Sequence, residues 1–328
     1  MSNVPFKTLS LAGVLLLAAA EAQGATTWRF DVPPPGTDPC SQSSRVSSSS
    51  PLANNFGNNI FCTPVGGGAP TVTATAWANS AGTASNTAGA TSLENAYITV
   101  YQNSTGTSPS GIGITNRLAG TTADPGETTS PEHAIDNNGA NAQTGTGSVY
   151  ADADNGRYDM VLLDFSTRVN LTGLSIGWFS NDVDITVMAF NPTTALQTAS
   201  LAGKKYTELT TSGWSIVGHY ANLATANTVY NFAGRSNSQG TDSVNAANTS
   251  IQSRYWLIGA YNPTVGAVGS SNTNSGLNAG NDYFKLLSVV GNPASPPAPP
   301  GGVPEPASLA LIFASAVGFG ALRARRRK

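Results

Sequence analysis

The feature that most limits how this chain folds is a series of nine short runs of apolar or alternating residues, each bounded by turn-forming residues. Such runs, about four to eight residues long, are typical of β-strands. They cover residues 71–77, 96–101, 160–165, 171–178, 184–190, 214–220, 228–232, 255–261 and 283–290. Because no twelve-residue amphipathic pattern separates them, the sequence predicts an all-β domain of two packed sheets, a β-sandwich or jelly roll.

The composition favours the same fold class. Charged residues make up only 10% of the chain, so the Glu, Lys and Arg residues that surface helices use are scarce. One short helix is predicted within 199–211, ending before Gly213. Residues 269–281 are almost all Gly, Ser and Asn, which predicts one of several long loops between the strands.

The amino terminus has the pattern of a secretory signal peptide. Lys7 is followed by an apolar stretch over 9–20 and then by small residues suited to cleavage, so residues 1–24 are predicted to be removed on export. The sandwich domain is predicted to occupy 25–291. Residues 25–300 carry sixteen acidic and ten basic residues. This mildly acidic balance argues against nucleic acid or an anionic membrane surface as a partner, because both bind basic surfaces.

The only two cysteines, Cys40 and Cys62, lie in the Pro-, Ser- and Asn-rich opening of the exported part. In an exported protein the expected outcome is one disulfide that closes this irregular segment, stabilising the fold by about 3 kcal/mol. A metal site built on these cysteines is disfavoured, because His133 and His219 are remote from them in sequence.

The carboxyl terminus consists of three consecutive parts. A Pro-rich spacer over 292–302 is followed by the motif Val303, Pro304, Glu305 and Pro306 and then by residues 307–322, which carry no charge. Five of the last six residues are basic. An uncharged helix of this length is slightly shorter than the hydrocarbon core of a bilayer. Flanking Arg and Lys side chains can extend to the membrane surface and make up the difference. The sequence therefore predicts a single transmembrane helix whose basic end stays in the cytoplasm.

This tail, residues 303–328, resembles the PEP-CTERM sorting signal of surface proteins of Gram-negative bacteria. The resemblance implies an exosortase as processing partner, cutting at or near Pro304–Pro306, so that the membrane contacts the protein only through the helix before processing. The folded part is similar to the same exosortase-dependent surface-protein family between about residues 132 and 290. The segments that carry this similarity are 131–139, 158–165, 176–178, 181–187, 212–215, 255–262 and 282–285. The family implies a location at the cell surface or in the matrix and lends no catalytic residues.

Candidate calcium ligands are Asp136, Asp182 and Asp184. Asp182 and Asp184 stand two residues apart at the mouth of a strand and are expected to project to the same side. Calcium takes six to eight oxygen ligands, which carboxylates and neighbouring amides supply. The competing interpretation is turn chemistry, since Asp and Asn side chains bond their own backbone in turns. Asp164 interrupts an apolar run and is expected to point outward.

Three functions are compatible with these features. The favoured one is an exported, exosortase-processed surface or extracellular-matrix protein with a structural or adhesive role and no catalysis. The alternative is a calcium-assisted carbohydrate-binding module of the exopolysaccharide matrix, in which tryptophans stack on sugars, although burial is expected for Trp178, Trp214 and Trp256. The third is a glycan-active enzyme, which needs two suitably spaced carboxyl groups. A serine triad is disfavoured because the chain has two histidines and no nucleophile-elbow motif.

Overall fold

The structure is a computed structural model of the 328-residue chain. The residues that it describes are 24–30, 40–42, 59–81, 92–102, 109–115, 117–118, 122–123, 134–137, 158–181, 183–191, 201–232, 251–266, 277 and 282–294. The chain forms two compact units, Met1–Pro293 and Ala294–Lys328. Of the second unit only Ala294 is among the described residues, so the predicted sorting signal lies outside them, as do residues 1–23 of the predicted signal peptide.

The described part of the chain is almost entirely β-structure. Its strands are β1 (Thr26–Arg29), β2 (Cys40–Gln42), β3 (Asn59–Cys62), β4 (Val72–Ala81), β5 (Ser92–Asn95), β6 (Tyr97–Gln102), β7 (Pro109–Thr115), β8 (Arg117–Leu118), β9 (Thr122–Ala123), β10 (Ile135–Asp136), β11 (Asp159–Asn181), β12 (Ile185–Phe190), β13 (Trp214–Tyr220), β14 (Val229–Asn231), β15 (Ser253–Ala260) and β16 (Asp282–Pro293). All nine predicted runs form strands. The prediction of an all-β fold is therefore confirmed.

Fourteen of the strands form one antiparallel sheet, with the central order β13-β12-β15-β11-β16-β7-β6. Strands β1 and β10 also pair with β16, and β4 pairs with β11, β3 and β5. A separate two-stranded ribbon consists of β8 and β9. Strand β16 runs to Pro293 and so extends two residues into the predicted spacer.

Strand β11 connects two parts of the large sheet, one that contains β4 and β15 and one that contains β16. Its first part pairs with β4 and β15, and its second part, from Val169 onward, pairs with β16. The β15 register shifts between Asp164 and Val169, where the intervening residues 166–168 are exposed. The two runs predicted at 160–165 and 171–178 are thus one continuous 23-residue strand.

One large hydrophobic cluster includes residues from both parts of the sheet. Phe165 of β11 meets Trp28 of β1 edge to face, with ring centroids 4.8 Å apart. The Trp28 indole N–H also donates to the carbonyl of Pro70, just before β4, at 2.6 Å. Side chains alternate along a strand, so Val161 and Leu163 of β11 enter this cluster, whereas Met160 and Leu162 enter a second one on the opposite face.

The second cluster is covered by a short segment, residues 201–212, in place of the predicted helix. The segment forms two 3-10 turns, Tyr206–Glu208 and Thr210–Ser212, and ends at Gly213 with φ 96°. The prediction of a helix was wrong in type, because Thr210, Thr211 and Ser212 favour turns over α-helix. Leu201, Tyr206 and Leu209 bury their side chains against the sheet. No helix among the described residues is long and apolar enough to cross a membrane.

The predicted disulfide is present. Cys40 and Cys62 are bonded and lie directly opposite each other in the β2–β3 register. The bond thus fixes β2 to the sheet through β3, which pairs with β4.

Candidate functional site

Buried polar side chains gather at one end of the large sheet, where several strands begin or end. Asp136 and Asn137 close β10, Asp184 precedes β12, Tyr261 follows β15 and Asp282 opens β16. The three aspartates and Asn137 are at most 1% exposed. These five residues are called the acidic cluster below.

Asp282 is the hub of the acidic cluster. Its Oδ1 accepts a hydrogen bond from the backbone N–H of Asp184 at 2.6 Å, and its Oδ2 accepts one from the Asn137 amide at 2.5 Å. The Asn137 amide also donates to the carbonyl of Tyr261 at 3.0 Å, and the Asp282 N–H returns a bond to Asn137 Oδ1 at 3.1 Å. The Asp282 carboxylate therefore connects the ends of β10, β12 and β16, and the Asn137 amide adds the end of β15.

Asp184 extends this network to the chain after β13. Its Oδ1 accepts from the backbone N–H of Asn222 at 2.9 Å, and its carbonyl accepts from the N–H of Tyr261 at 2.9 Å. Asn222 has φ 58°, a left-handed conformation that Asn tolerates better than most residues. The carboxylate thus holds the backbone of a residue 38 positions along the chain, which is a long-range contact and not the local turn bonding weighed against calcium binding in the sequence.

The predicted calcium ligands are only partly accounted for. The backbone N–H of Asp184 donates to Asp282, Asp136 lies opposite Tyr283 in the β10–β16 register, and Asp182 is outside the described residues. Within the described ranges no group of three or more His, Cys, Asp or Glu side chains is arranged to hold a metal ion. Calcium binding by Asp136, Asp182 and Asp184 stays a prediction.

Sequence reasoning did not assign a role to Asp282, and it considered Asn137 only as an oxygen ligand for calcium. The signal available was positional, because Asp184 and Asp282 each stand immediately before a buried apolar strand. Their meeting depends on pairing between residues 98 and 145 positions apart, and no motif in the sequence reports that register.

Burial and neighbouring groups hold three tyrosines in their neutral form. Burial, and then the nearby Asp184 and Asp282, raise the pKa of Tyr261. Burial and then Tyr261 raise the pKa of Tyr158 to about 12. Burial, then Asp159 and Tyr158, raise the pKa of Tyr206, whose hydroxyl donates to the Tyr158 carbonyl at 2.6 Å. These phenols therefore do not act as bases at neutral pH.

The tryptophans mainly fill the interior. Trp214 and Trp256 are buried as expected, and so are Trp28 and Trp77. Trp178 differs from the expectation because it is partly exposed, and its ring centroid lies 4.5 Å from the ammonium of the buried Lys285. Burial lowers the pKa of Lys285 to about 8.

Asp164, expected to face outward, does so at a distance from the acidic cluster. It forms an exposed ion pair with Arg254, with 2.7 Å between Arg254 Nε and Asp164 Oδ1. Arg254 is on the neighbouring strand β15.

No protein-family model matches this chain, and comparisons with the curated proteins and with the solved structures find no match either.

Proposed function

We propose that the protein is an exported, exosortase-processed component of the bacterial surface or extracellular matrix, with a structural or adhesive role. The observation that carries the non-catalytic part is that Asp282 and Asp184 use carboxylate oxygens to accept hydrogen bonds from the chain itself. Their donors are the Asp184 N–H, the Asn137 amide and the Asn222 N–H. Carboxylates engaged in this way stabilise strand ends, whereas a catalytic acid or base must reach its substrate.

The proposed architecture is a β-sandwich in which the two parts of the sheet are the layers. The contacts of Trp28 with Phe165 and Pro70 support this arrangement, because they join β1 to the other part of the sheet. Such a double-layered core, closed by one disulfide, is suited to an environment outside the cell.

The location rests on the termini, and the sorting step is tested directly. The protein is expressed in a Gram-negative host that has an exosortase, beside the variants Glu305→Ala and Glu127→Ala. We expect the wild type and Glu127→Ala to lose their tails near Pro304–Pro306 and to reach the surface or the medium. Glu305→Ala is expected to keep its full mass and stay in the inner membrane. An unprocessed wild type, measured by mass spectrometry of each fraction, contradicts the proposal.

The second candidate is a calcium-assisted carbohydrate-binding module. One observation favours it: Asp184 contacts Asp282, and Asp136 lies opposite Tyr283, the next residue, so aspartates from three distant segments meet at one end of the sheet. Ligand-dependent stabilisation of the fold distinguishes this candidate from a structural protein.

A further inference from the structure

We propose that a small cavity lined by Thr186 and Asn262 is a binding site for one structural water molecule. The cavity has a volume of about 10 Å³, which is room for roughly one water. Its polar lining comes from Asp159, Thr186, Tyr206 and Asn262, and the rest is apolar apart from backbone. The site lies on the face of the sheet that the 3-10 turns cover, and it is independent of the proposed sorting and surface role.

Asn262 sets the first requirement on the occupant. The residue is 3% exposed, and its Oδ1 accepts from the backbone N–H of Thr264 at 2.9 Å and from the Thr264 hydroxyl at 2.6 Å. A backbone N–H can only donate, so the amide cannot be flipped. Its Nδ2 is buried and has no acceptor among the described residues. The occupant must therefore accept a hydrogen bond.

Thr186 sets the second requirement through His219. The Nε2 of His219 is 3.1 Å from the carbonyl of Gly266, which can only accept, so this nitrogen carries the proton. The Thr186 hydroxyl consequently donates to Nδ1 at 2.9 Å, while its oxygen accepts from the backbone N–H of Asn262 at 3.0 Å. The hydroxyl proton is thus committed to His219, and toward the cavity Thr186 offers only a lone pair.

The Tyr206 hydroxyl, which also lines the cavity, is committed to the Tyr158 carbonyl at 2.6 Å. The occupant must therefore accept a hydrogen bond from Asn262 and donate one to Thr186. A metal ion cannot accept from the Asn262 amide, and an anion without a proton cannot donate to Thr186. Water fits the volume and can make both hydrogen bonds.

A high-resolution crystal structure of the protein tests the site directly. We expect density for one water within about 3.2 Å of Asn262 Nδ2 and Thr186 Oγ1. An unoccupied cavity, or density for an ion, overturns the proposal.

A matched pair of substitutions tests the same site in solution. Val265 lines the cavity and Val217 lies in the first hydrophobic cluster, and both are 3% exposed. In Val265→Ile the added methylene expels the water and leaves the Asn262 donor unsatisfied. We expect its Tm to fall at least about 2 °C below that of Val217→Ile. If the cavity is dry, the methylene fills it, Val265→Ile has the higher Tm, and the proposal is wrong.

Discussion

At the scale of single residues, two kinds of aspartate behave differently in this protein. Asp282 and Asp184 are buried and accept hydrogen bonds from backbone and amide groups, whereas Asp164 pairs with Arg254 on the surface. Hydrogen bonds to a buried charge are worth more than an exposed ion pair. Alternation along the strand was enough to predict that Asp164 points outward. The role of Asp282 could not be predicted, because it depends on strand ends that are remote in sequence.

Replacing Asp282 by Asn measures how much more its buried hydrogen bonds stabilise the fold than the exposed ion pair of Asp164 does. In Asp282→Asn one end of the side chain becomes a donor and faces either the Asp184 N–H or the Asn137 amide, which are donors themselves. We expect the free energy of unfolding to fall by about 2–3 kcal/mol in urea titrations. The control Asp164→Asn, with 36% exposure of the native side chain, is expected to cost at most about 1 kcal/mol. Equal costs for the two variants contradict the hub assignment.

Lys285 and the tyrosines give stability a defined dependence on alkaline pH. The pKa of Lys285 is lowered from 10.5 to about 8 by burial, so between these values the unfolded chain binds more protons than the folded one. The free energy of unfolding therefore rises with pH through this window. The pKa of Tyr158 is raised from 10.0 to about 12, so the stability of its neutral form is lost above pH 10.

We accordingly expect a stability maximum near pH 10 in urea titrations across pH 7–12. In Lys285→Met the rise above pH 8 should disappear, while the fall caused by the tyrosines should persist. A wild-type curve that is flat between pH 8 and 10, or an unchanged rise in the variant, is incompatible with a buried, titrating Lys285.

At the scale of elements, local pattern located strands well and their limits less well. The runs at 214–220 and 255–261 became β13 and β15 because apolar residues there meet the core. The prediction split β11 at residues 166–168, because polar residues there resemble a turn although the strand continues through a shifted register. Strand β7 escaped prediction because its glycines interrupt the apolar alternation.

One of those glycines has a specific structural reason. Gly111 has φ +91°, and a Cβ at this position would overlap the carbonyl group of Leu286 on β16. Gly111→Ala is expected to destabilise the protein by about 3 kcal/mol or more, through both backbone strain and displacement of β7.

The control is Gly67→Ala, because Gly67 has a similar φ of +83° but open space around its Cβ position. Strain alone should cost about 1–2 kcal/mol there. Thermal unfolding of both variants separates the cost of backbone strain from the cost of displacing β7. A Gly111→Ala variant no less stable than Gly67→Ala would refute the close β7–β16 contact.

At the scale of the whole molecule, composition and strand pattern were enough for the all-β class and for the disulfide between Cys40 and Cys62. They were not enough for the organisation of the sheet, in which β16 pairs with β1, β7, β10 and β11. That organisation collects the acidic cluster at one end, and it depends on long-range registers. A structural surface protein accounts for this cluster as a connection between strand ends, whereas a calcium-assisted lectin uses it as a ligand site.

Thermal unfolding of the purified protein in calcium, in chelator, and with soluble bacterial polysaccharides separates these accounts most directly. A ligand that binds only the folded state raises its stability by RT ln(1 + [L]/Kd), about 2.7 kcal/mol at a hundredfold excess over Kd. A structural role predicts the same Tm under every condition. A Tm that rises by several degrees with calcium or one polysaccharide, and does not rise in Asp184→Asn, would contradict it and favour the binding module.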